Sequence, residues 1–506
     1  MRERLSFEHE IGLLVSRGPP GEWRERETAE GLRKKLRFLS FLPHWTEQAG
    51  RDVQLKPSVI DPRIYDGPVK YRIAQDLQKC LMGVMRRREF AHIKVALVDL
   101  TKDITNPEFA GYYHKTQVFV ASVAKIAAML AAFQLRHDLR VATKQKKPKT
   151  LAEVFAAVRD DWAQTQRDGR AEPFTRGISL HGKLVALAGG GRVALVEPKA
   201  PRLENVFAKV APGGAVTIEF SSTGEDRAKL RTLIDEYNRA SHGFSAARQS
   251  RVKALRESEK AEQSGVSARV TAARNKLAAA DRKLALAQRK YLEAKRKIDA
   301  LGFRERMGIA IGGDVPASNF ATSTIVRDVG FLYIASTLFQ SGLYDTNRNG
   351  GLWLGADYYG RSWRGALAGG SAQSATPGSL AAFMTLLQQK GLVGPQASGE
   401  MQRVMMKRPT LTFPGTGSWF WEGLEHLPLK TVLAKVGLAE GADDLAYIER
   451  DVEVELSDGS KKKTTLRYVA VALRARSGDE LRNLIRELDK CILANNGLTP
   501  AQGGHS

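Results

Sequence analysis

One short stretch has residue types and spacing suited to covalent chemistry: Phe119-Val-Ala-Ser-Val-Ala-Lys125. An apolar run, Val118 to Ala121, delivers Ser122 to the start of a segment, Val123 to Leu135, whose Ala, Leu, Ile and Met content favours helix. In a helix, Lys125 falls one turn beyond Ser122 on the same face. A serine hydroxyl is a weak nucleophile until a neighbour takes its proton, and an amine can do so when burial or other cations lower its pKa. Spacing alone is weak evidence, because Ser250 with Lys253 and Ser460 with Lys463 share it. Those two pairs lie in polar, highly charged segments, whereas Ser122 lies in an apolar one. The plain alternative for the same residues is an N-cap serine beside a solvated lysine.

The elements that must position this pair follow from periodicity. Tyr71 to Arg88 has Ile73, Leu77, Cys80, Leu81 and Val84 on one helical face. Ile93 to Leu100 is a strand candidate, and a polar turn leads to a second one, Phe109 to Thr116. Beyond a basic linker at Lys144 to Lys149, Leu151 to Trp162 reads as an amphipathic helix. Leu184 to Leu187 and Val193 to Val196 flank Gly189 to Gly191 as a hairpin, with Val216 to Phe220 as a third strand. The glycines read as a turn rather than a phosphate cradle, since no Lys-Ser/Thr follows them. Val270, Leu277, Leu284, Tyr291 and Ile298 then recur every seven residues, with Ala273, Ala280, Ala287 and Ala294 between them. That is a coiled-coil heptad with a small-residue seam position. Its partner is expected within Ala228 to Ala240 or Ser245 to Ser264, and its Arg- and Lys-rich exterior reads as a solvated face. Further on, Pro316 to Gly330 reads as turn, helix and glycine stop, Asn349 to Gly370 as loop, and Thr376-Pro377 as the start of a helix to Lys390. Gly399 to Lys407 is another helix. Strands follow at Thr431 to Gly437, Leu445 to Glu455 and Leu466 to Leu473, and a helix from Asp479 to Ala494 closes the chain.

With 506 residues the chain has room for two to four domains. A formal charge of +23 favours contact with polyanions but bears on association rather than on fold. Cys80 and Cys491 are too few for a disulfide framework or a cysteine metal site, so a reducing compartment is expected. The first ten residues lack the apolar core of a signal peptide, and no apolar run approaches the ~18 to 20 residues that span a bilayer. A soluble, cytoplasmic protein is the expectation, or a periplasmic one if the start is misassigned.

In order, these pieces resemble the serine β-lactamase and penicillin-binding (DD-peptidase) superfamily, most nearly its class A β-lactamase-like branch. Three motifs carry the resemblance: Ser122-Val-Ala-Lys125, Ala317-Ser318-Asn319 at the family's Ser-x-Asn, and Lys435-Val436-Gly437 at its Lys-Thr/Ser-Gly. It implies an α+β fold, an antiparallel sheet flanked by helices plus a helical subdomain. It covers residues 63–140 and 301–497, interrupted by an insertion at 141–300 (helix, small β element, coiled coil) and flanked by an N-terminal extension at 1–62 and a tail at 498–506. The resemblance also implies roles. Ser122 would be the nucleophile and Lys125 its general base; Asn319 would orient the substrate amide and Lys125. Lys435 would supply positive charge and depress the pKa of Lys125, while the N–H groups of Ser122 and Leu438 would form the oxyanion hole.

The departures narrow this expectation. Ala317 replaces the proton-relaying serine, with Ser318 beside it as a substitute, and Val436 replaces a hydroxyl residue that helps to bind a substrate carboxylate. No glutamate lies between Asn319 and Thr376, where class A enzymes carry the one that activates the deacylating water. The expected activity is a serine hydrolase acting by acyl transfer on an amide, lactam or ester, with no cofactor and no metal. Its partners would be a small-molecule or peptide-like substrate and a second copy through the coiled coil, with nucleic acid ranked last for want of a base-reading motif. The alternative is a catalytically degenerate scaffold that uses the basic insertion for protein or polyanion binding.

Overall fold

The computed structural model describes residues 68–69, 71–146, 150–156, 184–186, 192–195, 202–208, 218–345, 350–358, 361–362, 373–407, 417–438, 441–455 and 461–498. The extension expected over 1–62 and nearly all of the tail lie outside them, as does the second half of the helix expected from Leu151 to Trp162.

β1 (Arg72–Ile73) leads into α1 (Gln75–Met85), which buries Leu77, Leu81, Val84 and Met85 along one stripe. β2 (Lys94–Asp99), β3 (Glu108–Tyr112) and β4 (Val118–Phe119) follow, then a 3-10 turn (Ala121–Ala124) and α2 (Lys125–Lys146). Two long helices, α3 (Arg227–Ser264) and α4 (Ser267–Asp299), precede the helices α5 (Phe303–Gly312), α6 (Ala317–Val329) and α7 (Phe331–Gln340). Next come β5 (Trp353–Leu354), β6 (Gln373–Ala375), α8 (Pro377–Gln388), α9 (Pro395–Met405), β7 (Met406–Lys407) and α10 (Trp419–Leu424). Three long strands, β8 (Leu429–Leu438), β9 (Ala442–Glu455) and β10 (Lys461–Ala475), lead to the last helix, α11 (Gly478–Asn495).

Seven of these strands form one sheet in the order β1-β3-β2-β10-β9-β8-β7. Its pairs are antiparallel except at one edge, where β1 runs parallel to β3. The expected all-antiparallel sheet is therefore a mixed one, because α1 and β2 each reverse the chain between β1 and β3. Alternation along the strands divides the core in two. Ala96, Val98, Val469 and Val471 join the core built with α2, α6 and α8. Val95, Leu97, Tyr468 and Ala470 join the core built with α1 and α11. Burial on both faces makes these strands nearly continuous apolar runs, which is why they stand out in the sequence. α11 is pinned to the sheet by buried Arg450, whose Nε donates to Asp489 Oδ1 at 2.7 Å, while the Tyr468 hydroxyl donates to the same oxygen at 2.8 Å.

α3 and α4 form an antiparallel hairpin, tied by ion pairs Lys297–Glu236, Arg251–Asp281, Lys276–Glu257 and Arg274–Glu262. On α4 the positions that turn from solvent are those of the seven-residue repeat, with Ala294 and Ile298 fully buried at its base. Leu184–Ala186 and Arg192–Leu195 pair as an antiparallel hairpin, but Glu219–Phe220 pairs with Phe207–Ala208 instead of joining it as a third strand.

The two cysteines pair, a bridge that the sequence reading did not anticipate. Cys80 on α1 and Cys491 on α11 form a disulfide. The bridge joins residues 411 apart in sequence, so their spacing carried no hint of it. Among the described residues, no helix is long and apolar enough to cross a membrane.

Candidate active site

Ser122 does not cap a helix. It lies inside the 3-10 turn Ala121–Ala124, whose N-cap position is Val120, and the Lys125 N–H donates back to the Ser122 carbonyl. In 3-10 geometry residues i and i+3 eclipse, so the turn sets the Ser122 and Lys125 side chains on one face. Immediately before the serine, Ala121 has φ 42°, a conformation that costs a non-glycine residue free energy and persists only where surroundings hold it. Two surroundings are evident. β4 is held by β6, with Val120 N–H donating to the Gln373 carbonyl at 3.0 Å, and the Tyr358 hydroxyl donates to the Ala121 carbonyl at 3.0 Å.

Lys125 is 1% exposed, so its amine sits in protein rather than water. Nζ donates to Ser318 Oγ at 2.7 Å and to Asn319 Oδ1 at 2.8 Å. The face of Tyr358 lies 4.6 Å from the same nitrogen. Burial first, and the nearby Lys435 ammonium second, hold the Lys125 amine well below the ordinary lysine range. A neutral amine that spends both N–H groups on Ser318 and Asn319 keeps its lone pair as an acceptor, which is the state a general base requires.

α6 supplies both acceptors. Asn319 is not spent on capping that helix, since its carbonyl oxygen accepts from Lys125. Ser318 Oγ in turn donates to the Ala310 carbonyl at 2.8 Å, which fixes the hydroxyl's direction. Ala317, where the resemblance placed a serine, is fully buried, and the neighbouring Ser318 makes the contact to the amine.

β8 brings the third group of residues. Lys435 is 4% exposed, not the solvated strand-edge residue that spacing alone would allow, and its Nζ donates to the Val436 carbonyl at 3.3 Å. Gly437 has a steric reason: a Cβ there would lie 2.5 Å from the Val120 carbonyl oxygen and 3.1 Å from Val123. Only glycine lets β8 close on the Ser122 turn. Leu438, one residue on, is exposed at 69% and leaves an apolar side chain at the rim. Lys125, Ser318 and Asn319 thus meet, Lys435 lies near enough to act on the Lys125 amine, and Gly437 packs against Val120 and Val123 of the turn that carries Ser122.

Two contributors went unnoticed in the sequence. Tyr358 belongs to the stretch read as a glycine-rich loop, where several aromatics were the available signal. Asn238 of α3 accepts the Ala317 N–H at 2.9 Å, and Tyr237 stacks on Phe320 with ring centroids 5.4 Å apart. The base of the long hairpin therefore anchors the first turn of α6. Among the described residues, no group of three His, Cys, Asp or Glu side chains is placed to hold a metal ion.

No protein-family model matches this sequence, and no curated protein matches it. Among solved structures it is similar to a beta-lactamase from Sphaerobacter thermophilus DSM 20745, at 10% identity and TM-score 0.35, over 84% of this chain and 98% of that one. It is also similar to PBP-A, at 11% identity and TM-score 0.33, over 84% of this chain and 98% of that one. Neither likeness bears on chemistry, which the residues of this chain must carry by themselves.

Proposed function

We propose that the chain is a serine hydrolase of β-lactamase-like fold that works by acyl transfer, with residues 63–140 and 301–497 as its catalytic domain and 141–300 as an insertion. The observation that carries this is the buried Lys125 amine, one 3-10 turn after Ser122 and bonded to Ser318 and Asn319. In this mechanism neutral Lys125 takes the Ser122 proton as Oγ attacks the substrate carbonyl. The N–H groups of Ser122 and Leu438 receive the oxyanion, and the Lys125 ammonium returns its proton to the leaving group. Water then cleaves the acyl-enzyme, with Lys125, neutral again, as the available base. No glutamate lies between Asn319 and Thr376 to activate that water, so deacylation is the slow step. Val436 and exposed Leu438 favour an ester or small amide over a substrate that presents a carboxylate there.

A disulfide persists in an oxidising compartment, so the Cys80–Cys491 bridge supports a location outside the reducing cytoplasm. One observation favours a second reading, a scaffold that binds an acidic partner: Arg227 to Asp299 carries 19 Lys and Arg against 8 Asp and Glu.

The test is incubation of the purified protein with a fluorescent penicillin and, separately, a fluorophosphonate, beside Ser122→Ala. Intact mass is expected to show one adduct that the Ala variant lacks and that persists for many minutes. Absence of labelling by both probes on folded protein sinks the hydrolase reading and leaves the scaffold.

A further inference from the structure

We infer that Tyr358 is the positioning residue of this site, its ring face receiving the charge that Lys125 acquires and its hydroxyl holding the turn that presents Ser122. The inference rests on the acyl-transfer reading above and extends it to a residue that the three sequence motifs do not include.

Three contacts fix the tyrosine. Its backbone N–H donates to Ser323 Oγ at 3.1 Å, and that hydroxyl donates to the Asn319 carbonyl at 3.0 Å, so Tyr358 is tied to the helix that carries Ser318 and Asn319. Its hydroxyl donates to the Ala121 carbonyl at 3.0 Å, across 237 residues of sequence. Its ring lies 4.6 Å from Lys125 Nζ. One side chain thus touches the strained residue before the nucleophile and the amine after it.

The surroundings of Lys125 give the ring its task. From α6 the amine meets Ser318 and Asn319, both neutral, and from β8 it meets the field of Lys435, which repels a second cation. In the acyl-transfer reading the amine becomes charged as it takes the Ser122 proton, and burial with Lys435 then opposes that charge. The bonds to Ser318 and Asn319 serve both forms of the amine and strengthen in the charged one, whereas the ring face of Tyr358 attracts only the ammonium. Stabilisation confined to the charged form lowers the barrier to acylation rather than tightening ground-state binding. The hydroxyl acts separately, by satisfying the Ala121 carbonyl in the conformation that φ 42° imposes.

These two parts separate in Tyr358→Phe, which keeps the ring and loses the hydroxyl, and Tyr358→Leu, which loses both; Tyr358→Met is a second non-aromatic replacement should the Leu variant fold poorly. The protein is labelled with ε-13C lysine, and the Lys125 resonance is assigned by its loss in Lys125→Met. Its titration midpoint is expected to fall by about half to one and a half pH units in the Leu and Met variants and to stay put in Phe. Fluorophosphonate labelling is expected to slow ~2- to 10-fold in Phe through the turn alone. A Lys125 midpoint that is unchanged, or that rises, in the non-aromatic variants overturns the charge-stabilising role. Wild-type labelling rate in Phe overturns the role of the hydroxyl. The midpoint is read without turnover, so wild-type protein that never labels refutes the hydrolase reading while the shift still decides the role of the ring.

Discussion

At the scale of single residues, the candidate site works by exclusion as much as by placement. Lys125 is kept from water and beside Lys435, and both conditions push the amine toward the form that accepts a proton. Gly437 is excluded from being anything larger, because its Cα faces the Val120 carbonyl. Gly437→Ala must move either β8 or the Ser122 turn, at a cost of about 1–3 kcal/mol in stability. Its covalent labelling should fall at least tenfold while circular dichroism stays native, and undiminished labelling would show that β8 does not set the geometry of the turn. The motif Ser-x-x-Lys was legible because both residues sit in one turn. Tyr358 was not, since a tyrosine 236 positions from Ser122 has no local pattern to announce it.

At the scale of elements, α6 is the one that needs outside support. Its first residue, Ala317, donates its N–H to Asn238 on α3, and Tyr237 and Phe320 stack beside that bond. Asn238→Ala leaves that amide without its partner, which costs about 1 kcal/mol for a helix N-terminus. Hydrogen exchange at residues 314–322 should quicken and labelling of Ser122 should slow several-fold, with little change in the rest of the chain. Unaltered exchange would mean that the long hairpin is a passenger rather than a support. Several elements were legible from their own patterning. α1 and α11 each have one apolar stripe, and α8 has its capping box of Thr376 and Ser379 after the Thr-Pro start. α7 was missed for the opposite reason: Phe-Leu-Tyr-Ile-Ala-Ser-Thr-Leu-Phe-Gln is apolar nearly all round, so periodicity offers no contrast. β10 starts before the expected Leu466 because Lys461 to Lys463 are strand residues paired with Glu453 to Glu455, where the lack of apolar residues gave no strand signal.

At the scale of the whole molecule, the sheet separates two cores with different tasks. The Ser122 turn packs with α2 and α6 on one side, and the Cys80–Cys491 bridge lies with α1 and α11 on the other. The bridge ties the first described helix to the last and should contribute about 2–4 kcal/mol by restricting the unfolded chain. The double variant Cys80→Ala/Cys491→Ala is expected to unfold at a lower denaturant midpoint and to label at the rate of the parent protein. Loss of labelling in the folded variant would mean that the two faces of the sheet are coupled.

The sequence by itself determined what local spacing can encode: the helices and strands whose own apolar patterning marks them, such as α1, α11 and the central strands, and which serine has a lysine one turn away in apolar surroundings. It also located the three stretches that meet, since Ser122, Asn319 and Lys435 each stand in a distinct motif. Only the tertiary structure decided that Lys125 is buried rather than solvated, that Ser318 rather than Ala317 reaches it, that Tyr358 covers it and that the two cysteines are joined. Those outcomes depend on contacts across 193 to 411 residues of chain, set by sheet register and helix packing. Spacing along a sequence constrains contacts within a turn or a strand pair, and burial arises only when separate elements close upon one another.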